Sequence, residues 1–518
     1  MWRVEGDEKY KNHILHVIGW YANNYENFEE HGRQVGSAKV CGHTLAEAIW
    51  GINLIEALMI AEIDPTSEQA QIFRRKLFVP LLRLINSQPT HLMNISLWHM
   101  AYTMGVGAYY KDSWLMYPYA AYERNGTRLL TDNLTQDGFW LENSITYHFY
   151  ALSAALYYFM FLQKMEYSND YIGWQCKDAF TGGGALENML VKAYVSPLRI
   201  IYPNGDFPAT NDGWITTLAS MKDDYLAVCK LFKGKPEYEL LSAAVYAGGE
   251  PAKNLTSLLY GFPEKPSCSL FEQETAHLPH NGIAVLRSGK NNVLVKYGNL
   301  CGGHSHPDAL QICIYPFSMD IGSIAYGVPI HYEYFFVGGS HSTFMVDGRN
   351  QRAAVMGTAE VSQDGKSITA KINDAHPNVT AKRSVTITDD AVIDRTEIVC
   401  KDRRFIDWVF HGCGEFYTDS EIELADTDLK ADLPEESKHI ENGYKHFKNV
   451  HRRIGAGPFK ASWELGGEKL SVVINCSEAV TIYTADTPDN PITQTRKAVV
   501  VRAYASELKV NADFNIGR

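Results

Sequence analysis

Gly261-Phe262-Pro263-Glu264-Lys265-Pro266-Ser267 divides the chain into two kinds of sequence. Two prolines among polar residues end whatever element precedes them, because proline fixes φ and removes a backbone donor. On the N-terminal side, Leu45, Ile49, Ile52, Ile55 and Met59 recur at three- and four-residue steps, the spacing of one helix face. Ala151 to Leu162 is apolar nearly all round, as a buried helix is. On the C-terminal side the period falls to two: Gly282-Ile283-Ala284-Val285-Leu286-Arg287, Val293-Leu294-Val295-Lys296-Tyr297, Ser384-Val385-Thr386-Ile387-Thr388 and Lys497 to Tyr504 read as strands. Helices first and strands afterwards mean an α+β or two-domain chain, not a parallel α/β sheet. Several helices joined by loops such as Tyr202-Pro203-Asn204-Gly205 suit a multi-helix toroid better than a small bundle. The expectation is an incomplete (α/α) toroid over 1–262, a linker over 263–280 and an antiparallel β-sandwich over 281–518, with room for a small separate C-terminal sheet after residue 400.

The 518 residues are 45% hydrophobic, 21% charged and 12% aromatic, which excludes a disordered or collagen-like chain. A net charge of −12 argues against nucleic acid as a partner, since phosphate binding needs clustered Lys and Arg. The 9 cysteines are scattered and never spaced as CxxC, so they read as reduced thiols. Met1-Trp2-Arg3-Val4-Glu5 opens without an apolar signal core, giving a cytoplasmic expectation, or a periplasmic or secreted one if a signal was removed. The uncharged run Asn143 to Gln163 is broken by Ser144, Thr146 and His148, so it reads as a buried helix and not a membrane span. Neither GxGxxG after a strand nor a Walker string occurs.

The densest polar cluster is Gly302-Gly303-His304-Ser305-His306-Pro307-Asp308, followed by Asp320 and His341. Imidazole and carboxylate from separate strands suit a zinc ion, although a polar turn between strands explains the same string; HExxH is absent. In the helical half, Asn94 stands beside Trp98 and His99, while Asp137, Trp140, Glu142, Tyr147 and His148 share one segment. Each also has a structural reading: Asn94 as a cap, Tyr147 as a core tyrosine, Asp206 in Pro203-Asn204-Gly205-Asp206 as turn chemistry.

Together the strings GGHSHPDALQICIY (302–315), MDIGSIAYG (319–327) and SHSTFMVDGRNQ (340–351) resemble the heparinase II/III-like polysaccharide lyases, a superfamily that includes heparinases and oligoalginate lyases. The resemblance implies a toroid followed by a β-sandwich, with catalytic Asn94 and Tyr147 from the first and His304 and Tyr332 from the second; Tyr326 and Tyr334 lie close by in sequence. It assigns His306, Asp320 and His341 to a structural Zn2+, with no organic cofactor. Two departures stand out. Asn94 is followed by Ile95 where some relatives carry His, and His341-Ser342-Thr343 replaces the usual His-Asn-Thr.

The implied activity is β-elimination on a uronic-acid-containing polysaccharide or oligosaccharide, leaving a 4,5-unsaturated uronate. Glycosaminoglycans such as hyaluronan, chondroitin or heparan are favoured over alginate or glucuronan. Tyrosine suits such proton transfers only if its environment tunes it. Trp98, His99, Trp140, His148 and Arg349 are the substrate-binding candidates in the anionic-sugar reading, with Tyr110, Trp114, Tyr117, Arg33 and Lys39 behind them. The alternatives are a toroid glycoside hydrolase using Asp137, Glu142 or Asp206, and a non-catalytic carbohydrate-binding protein. A homodimer is compatible with all three.

Overall fold

A computed structural model of the chain describes residues 5–32, 36–88, 93–120, 126–164, 185–271, 273–298, 303–425, 429–455 and 457–517. It forms two compact units, one made of Met1–Leu134 with Phe149–Val191, the other of Thr135–His148 with Lys192–Arg518.

The first unit is helical. Its long elements include Lys9–Asn24, Thr44–Ile60 and Met93–Tyr110. Thr44–Ile60 and Met93–Tyr110 meet at Gly51, where an added Cβ would stand 2.4 Å from the Tyr102 ring. Glycine is therefore what lets that ring in, and Tyr102 is wholly buried with its hydroxyl donating to the Phe78 carbonyl (2.9 Å). At the start of Thr44–Ile60 the buried Glu47 carboxylate accepts from the Tyr25 hydroxyl (2.8 Å) and from the N–H groups of Val40 (3.0 Å) and Cys41 (2.7 Å). Those donors offset the cost of burying its charge. The apolar run read as a buried helix is Ile145–Leu162, long and apolar enough to cross a membrane by composition, and 67% of it is buried.

The elements lying wholly in the second unit begin with helices Leu218–Leu231, Tyr238–Tyr246 and Leu255–Tyr260 and then turn to strands. The switch falls at the proline-rich stretch, as the change of period requires, although the first strand already lies within the expected linker. Four antiparallel strands, β1 (Ala276–Leu278), β2 (Ile283–Ser288), β3 (Asn291–Lys296) and β4 (Gln311–Ile314), form a small sheet in sequence order. A 12-stranded antiparallel sheet carries the rest, with the long strands Ala391–Gly412 and Thr495–Gly517 paired at its middle. Among the described residues, the strands after residue 400 all join this sheet. Leu286, Val293, Val295 and Ile312 of the small sheet share one core with Ile368, Ala370, Ile398, Trp408, Phe410 and Val499 of the large one. Two sheets facing one apolar layer make a β-sandwich. Strand Ser367–Asn373 shows the cause, burying Ile368, Ala370 and Ile372 alternately. Each of the two fully buried isoleucines contributes roughly 1.5–3 kcal/mol.

One buried cation ties this core to the loops above it. Arg383, paired with Asp394, donates from Nη1 to the carbonyls of Leu310 (2.6 Å) and Ser342 (3.0 Å). It thereby anchors the ends of both histidine-bearing segments.

Candidate active site

Three segments of the second unit are laced together by hydrogen bonds. In Asn211-Asp212-Gly213, the Asp212 N–H donates to the His304 carbonyl (3.1 Å), and Asn211 Oδ1 accepts from the His306 N–H (3.1 Å). Gly213 accepts from the Ser323 N–H (2.8 Å). Gly322, at φ +66°, is where the third segment passes closest: a Cβ there would lie 2.4 Å from the Gly213 oxygen. The segment bearing Tyr147 is fastened to the same loop, since Asn211 Nδ2 donates to the Asn143 carbonyl (2.7 Å) and the Trp214 N–H donates to Thr146 Oγ1 (2.8 Å). The tail of the motif is a brace. Gln351 bonds both the N–H (2.9 Å) and the carbonyl (3.1 Å) of Ala309, and Asn350 accepts from the Gly338 N–H (2.9 Å).

These contacts assemble a proton-handling cluster. The rings of Tyr147 and His304 stack, and the Tyr147 hydroxyl lies 2.6 Å from that of Tyr326. Tyr326 donates to Asp212 Oδ2 (3.1 Å), and His304 Nδ1 stands 2.8 Å from the same oxygen. The opposite nitrogen, His304 Nε2, is 3.7 Å from Glu142 Oε1, and Glu142 also accepts from the Trp140 indole (2.8 Å). Burial, together with the Tyr147 hydroxyl and the Asp212 charge, raises the Tyr326 pKa and keeps its proton on. Burial alone would raise Asp212 too, but the bonds from His304 and His306 outweigh it and hold the carboxyl well below its usual range.

Behind the cluster lies a buried layer. His306 reaches Asp212 Oδ1 with Nε2 (3.0 Å) and His341 Nε2 with Nδ1 (3.1 Å). Lys296 Nζ pairs with both oxygens of Asp308 (2.6 and 2.7 Å), all of it buried. His341 Nδ1 faces Asp320 Oδ1 at 3.7 Å, and neither His341 Nδ1 nor Asp320 Oδ2 has a hydrogen-bond partner. Ligand atoms of Asp308, Asp320 and His341 lie within 4.8 Å of one another. Two orphaned polar atoms, one carboxylate and one imidazole, at a fully buried point are what a divalent cation satisfies. Burial also drives the His341 pKa well down, leaving the neutral ring that ligation requires. The residues fit a metal, with Asp308 drawn into the group and His306 adjoining it through His341.

Several residues singled out from sequence take other places. Tyr332 is 54% exposed and rests edge-on against His331 (4.5 Å); Tyr326 is the sandwich tyrosine that reaches His304 and Tyr147, which corrects the choice of Tyr332. His148 is wholly buried, taking the Trp140 N–H on Nδ1 (2.9 Å) and contacting the Ala193 carbonyl with Nε2 (2.9 Å), so it holds its own segment together and does not face substrate. Trp140 is likewise wholly buried and offers no ring face to a sugar. In the first unit Trp98 is buried against Tyr150 and Tyr157, and His99 is buried with its pKa lowered to about 4 by desolvation. These two are also core residues, and Tyr110 joins them with its hydroxyl on the Ala70 carbonyl. Asn94 stands buried in the first turn of Met93–Tyr110. Lys39 donates to the Glu26 carbonyl (3.2 Å), Arg349 faces Glu436 at 3.6 Å, and Trp114 is 72% exposed. Arg33 and the Tyr117 side chain lie outside the described residues. Asp212 was not foreseen: Asn-Asp-Gly reads as a turn, and only the fold brings it to His304. Trp214, 47% exposed beside it, was missed for the same reason.

Residues 272–465 match the family model described as Heparinase II/III-like, C-terminal. Among solved structures the chain is similar to a heparinase III, at 18% identity and a TM-score of 0.67 over 100% of this chain and 75% of that one. It is also similar to the heparan sulfate lyase HepC of Pedobacter heparinus, at 12% identity and a TM-score of 0.64 over 100% and 74% of the two chains. A chondroitinase AC lyase follows at 8% identity and a TM-score of 0.51, over 98% and 72%. No curated protein matches by sequence. The fold class read from the sequence, an incomplete (α/α) toroid followed by an antiparallel β-sandwich, is the one found, and the resemblance to the heparinase II/III-like family is borne out over the matched residues.

Proposed function

We propose, with the Heparinase II/III-like C-terminal match over 272–465 as premise, that the protein is a polysaccharide lyase cleaving uronic-acid-containing chains by β-elimination, with a glycosaminoglycan as its substrate. The observation that carries this reading is the stacking of Tyr147 on His304, with Tyr326 and Asp212 bonded to them. β-Elimination needs a base for the C5 proton and an acid for the leaving O4, placed at one sugar. In this reading His304 Nε2 takes the C5 proton, the C5–H electrons form C4=C5, the C4–O4 bond breaks, and the Tyr147 hydroxyl protonates the departing oxygen. Tyr326, held in its protonated form, turns its one hydroxyl hydrogen from Asp212 to the Tyr147 oxygen as phenolate charge develops there. The electron sink, an amide donor toward the uronate carboxylate, is the task that the family resemblance gives Asn94. Trp214 offers the half-exposed aromatic face on which a sugar ring can stack.

The hydrolase reading draws less support. The Asp137 carboxylate accepts the N–H groups of His280 (2.6 Å) and Asn281 (3.2 Å), and that of Asp206 accepts from Asn204 within its own turn, so both are engaged in holding backbone turns.

A Zn2+ held by His341 and Asp320, with His306 or Asp308 beside them, would supply a fixed charge that braces the buried layer and take no part in proton transfer. Metal analysis of purified protein should find about one equivalent, and chelation should lower the melting temperature before it lowers turnover. Protein without bound metal but of unchanged stability would remove this part of the proposal. For the activity, the protein is incubated with hyaluronan, chondroitin, heparan sulfate, alginate and glucuronan. Ultraviolet absorbance of a 4,5-unsaturated uronate is expected on at least one glycosaminoglycan. Chain shortening without that absorbance would overturn the lyase reading.

A further inference from the structure

We infer that Asp212 is a positioning residue of this site, fixing His304 as the Nδ1–H tautomer so that Nε2 presents its lone pair to substrate; the inference rests on the lyase reading above. The Asp212 side chain is 2% exposed, and its two oxygens divide their work. Oδ2 takes His304 Nδ1 (2.8 Å) and the Tyr326 hydroxyl (3.1 Å). Oδ1 takes His306 Nε2 (3.0 Å) and Ser323 Oγ (3.2 Å), with His331 Nε2 at 3.8 Å.

An ionised carboxylate only accepts, so each imidazole nitrogen bonded to it carries the hydrogen. His304 is therefore protonated on Nδ1 and His306 on Nε2. The lone pair of His304 is left on Nε2, on the side of Glu142, where a proton received from C5 sits between two carboxylates (2.8 and 3.7 Å) that stabilise the imidazolium. With the other tautomer Nε2 would carry a hydrogen and could take none. This is the logic by which a buried carboxylate orients a catalytic imidazole. Asp212 also bonds Tyr326, the partner of Tyr147, so one buried side chain sets the base and orders the hydroxyls of the acid.

The test combines spectroscopy with kinetics on the whole 518-residue chain. In long-range 1H–15N spectra of the wild type at mildly alkaline pH, with His304 assigned through His304→Gln, the ring should show the Nδ1–H pattern. Asp212→Asn removes the negative charge whichever way its amide turns. It should lower kcat by about a hundredfold or more while KM stays within about threefold. A wild-type His304 in the Nε2–H form would overturn the inference, and that measurement needs no variant to fold. So would an Asp212→Asn protein turning over within about threefold of wild type. If the wild type forms no unsaturated product from any substrate, the lyase reading fails instead, and the tautomer is still read independently.

Discussion

The rings of Tyr147 and His304 lie face to face, their centroids 3.7 Å apart and their planes 18° from parallel. Because the stack depends on the ring and the chemistry on the hydroxyl, the two are separable. Tyr147→Phe keeps the aromatic contact and removes the proposed acid. Its melting temperature should change by no more than a few degrees, while the rate of unsaturated-uronate formation falls by about 10²-fold or more. A near-normal rate would exclude Tyr147 as the acid.

Tyr326 and Tyr332 are close in sequence and far apart in role. Tyr326→Phe removes the hydroxyl that lies 2.6 Å from Tyr147 and 3.1 Å from Asp212 and should cost about tenfold or more in kcat. Tyr332→Phe alters a side chain that is 54% exposed and should leave kcat within about twofold. Measured side by side on one substrate, the reverse order would restore Tyr332 to the site.

Trp214 is held by its backbone to Thr146, next to Tyr147, while its side chain is 47% exposed. Stacking of this kind is worth roughly 0.5–1.5 kcal/mol. Trp214→Ala should therefore raise KM roughly two- to tenfold with kcat little changed, as read from initial rates across substrate concentrations. An unchanged KM would show that sugars bind elsewhere.

At Gly322 the constraint is conformational. Its φ of +66° and the 2.4 Å approach of the Gly213 oxygen to any Cβ mean that Gly322→Ala both strains the backbone and pushes on the loop bearing Asp212. A loss of at least about 1–3 kcal/mol in urea unfolding is expected, with activity falling in the surviving folded protein. A variant as stable as wild type would mean that the loop yields freely.

The division of the fold was legible because periodicity is local: a helix face and an alternating strand declare themselves within ten residues, and the proline pair marks the change. His304, Tyr147 and the buried trio His306, Asp320 and His341 were legible through motif strings. Asp212 was not, because it lies 92 residues from His304 and its own neighbourhood reads as a turn. Trp140 and His148 were misread for the opposite reason. Their string is aromatic and polar at once, which suits a sugar platform as well as it suits a buried brace, and only burial tells these apart. Tyr326 and Tyr332 could not be ranked without the contact to Tyr147, which spans 179 positions.

Thr135–His148 is encoded among helices yet packs as part of the strand-bearing unit. In genetic terms it is a graft: recombination between two relatives at the proline-rich stretch near residue 262 would look clean by secondary structure, yet it would set one parent's Tyr147 and Asp212 against the other parent's His304 and Tyr326. Homologous exchanges that keep activity should therefore carry this short segment and the Asp212 loop together with the sandwich, so that the three parts are inherited as one functional module.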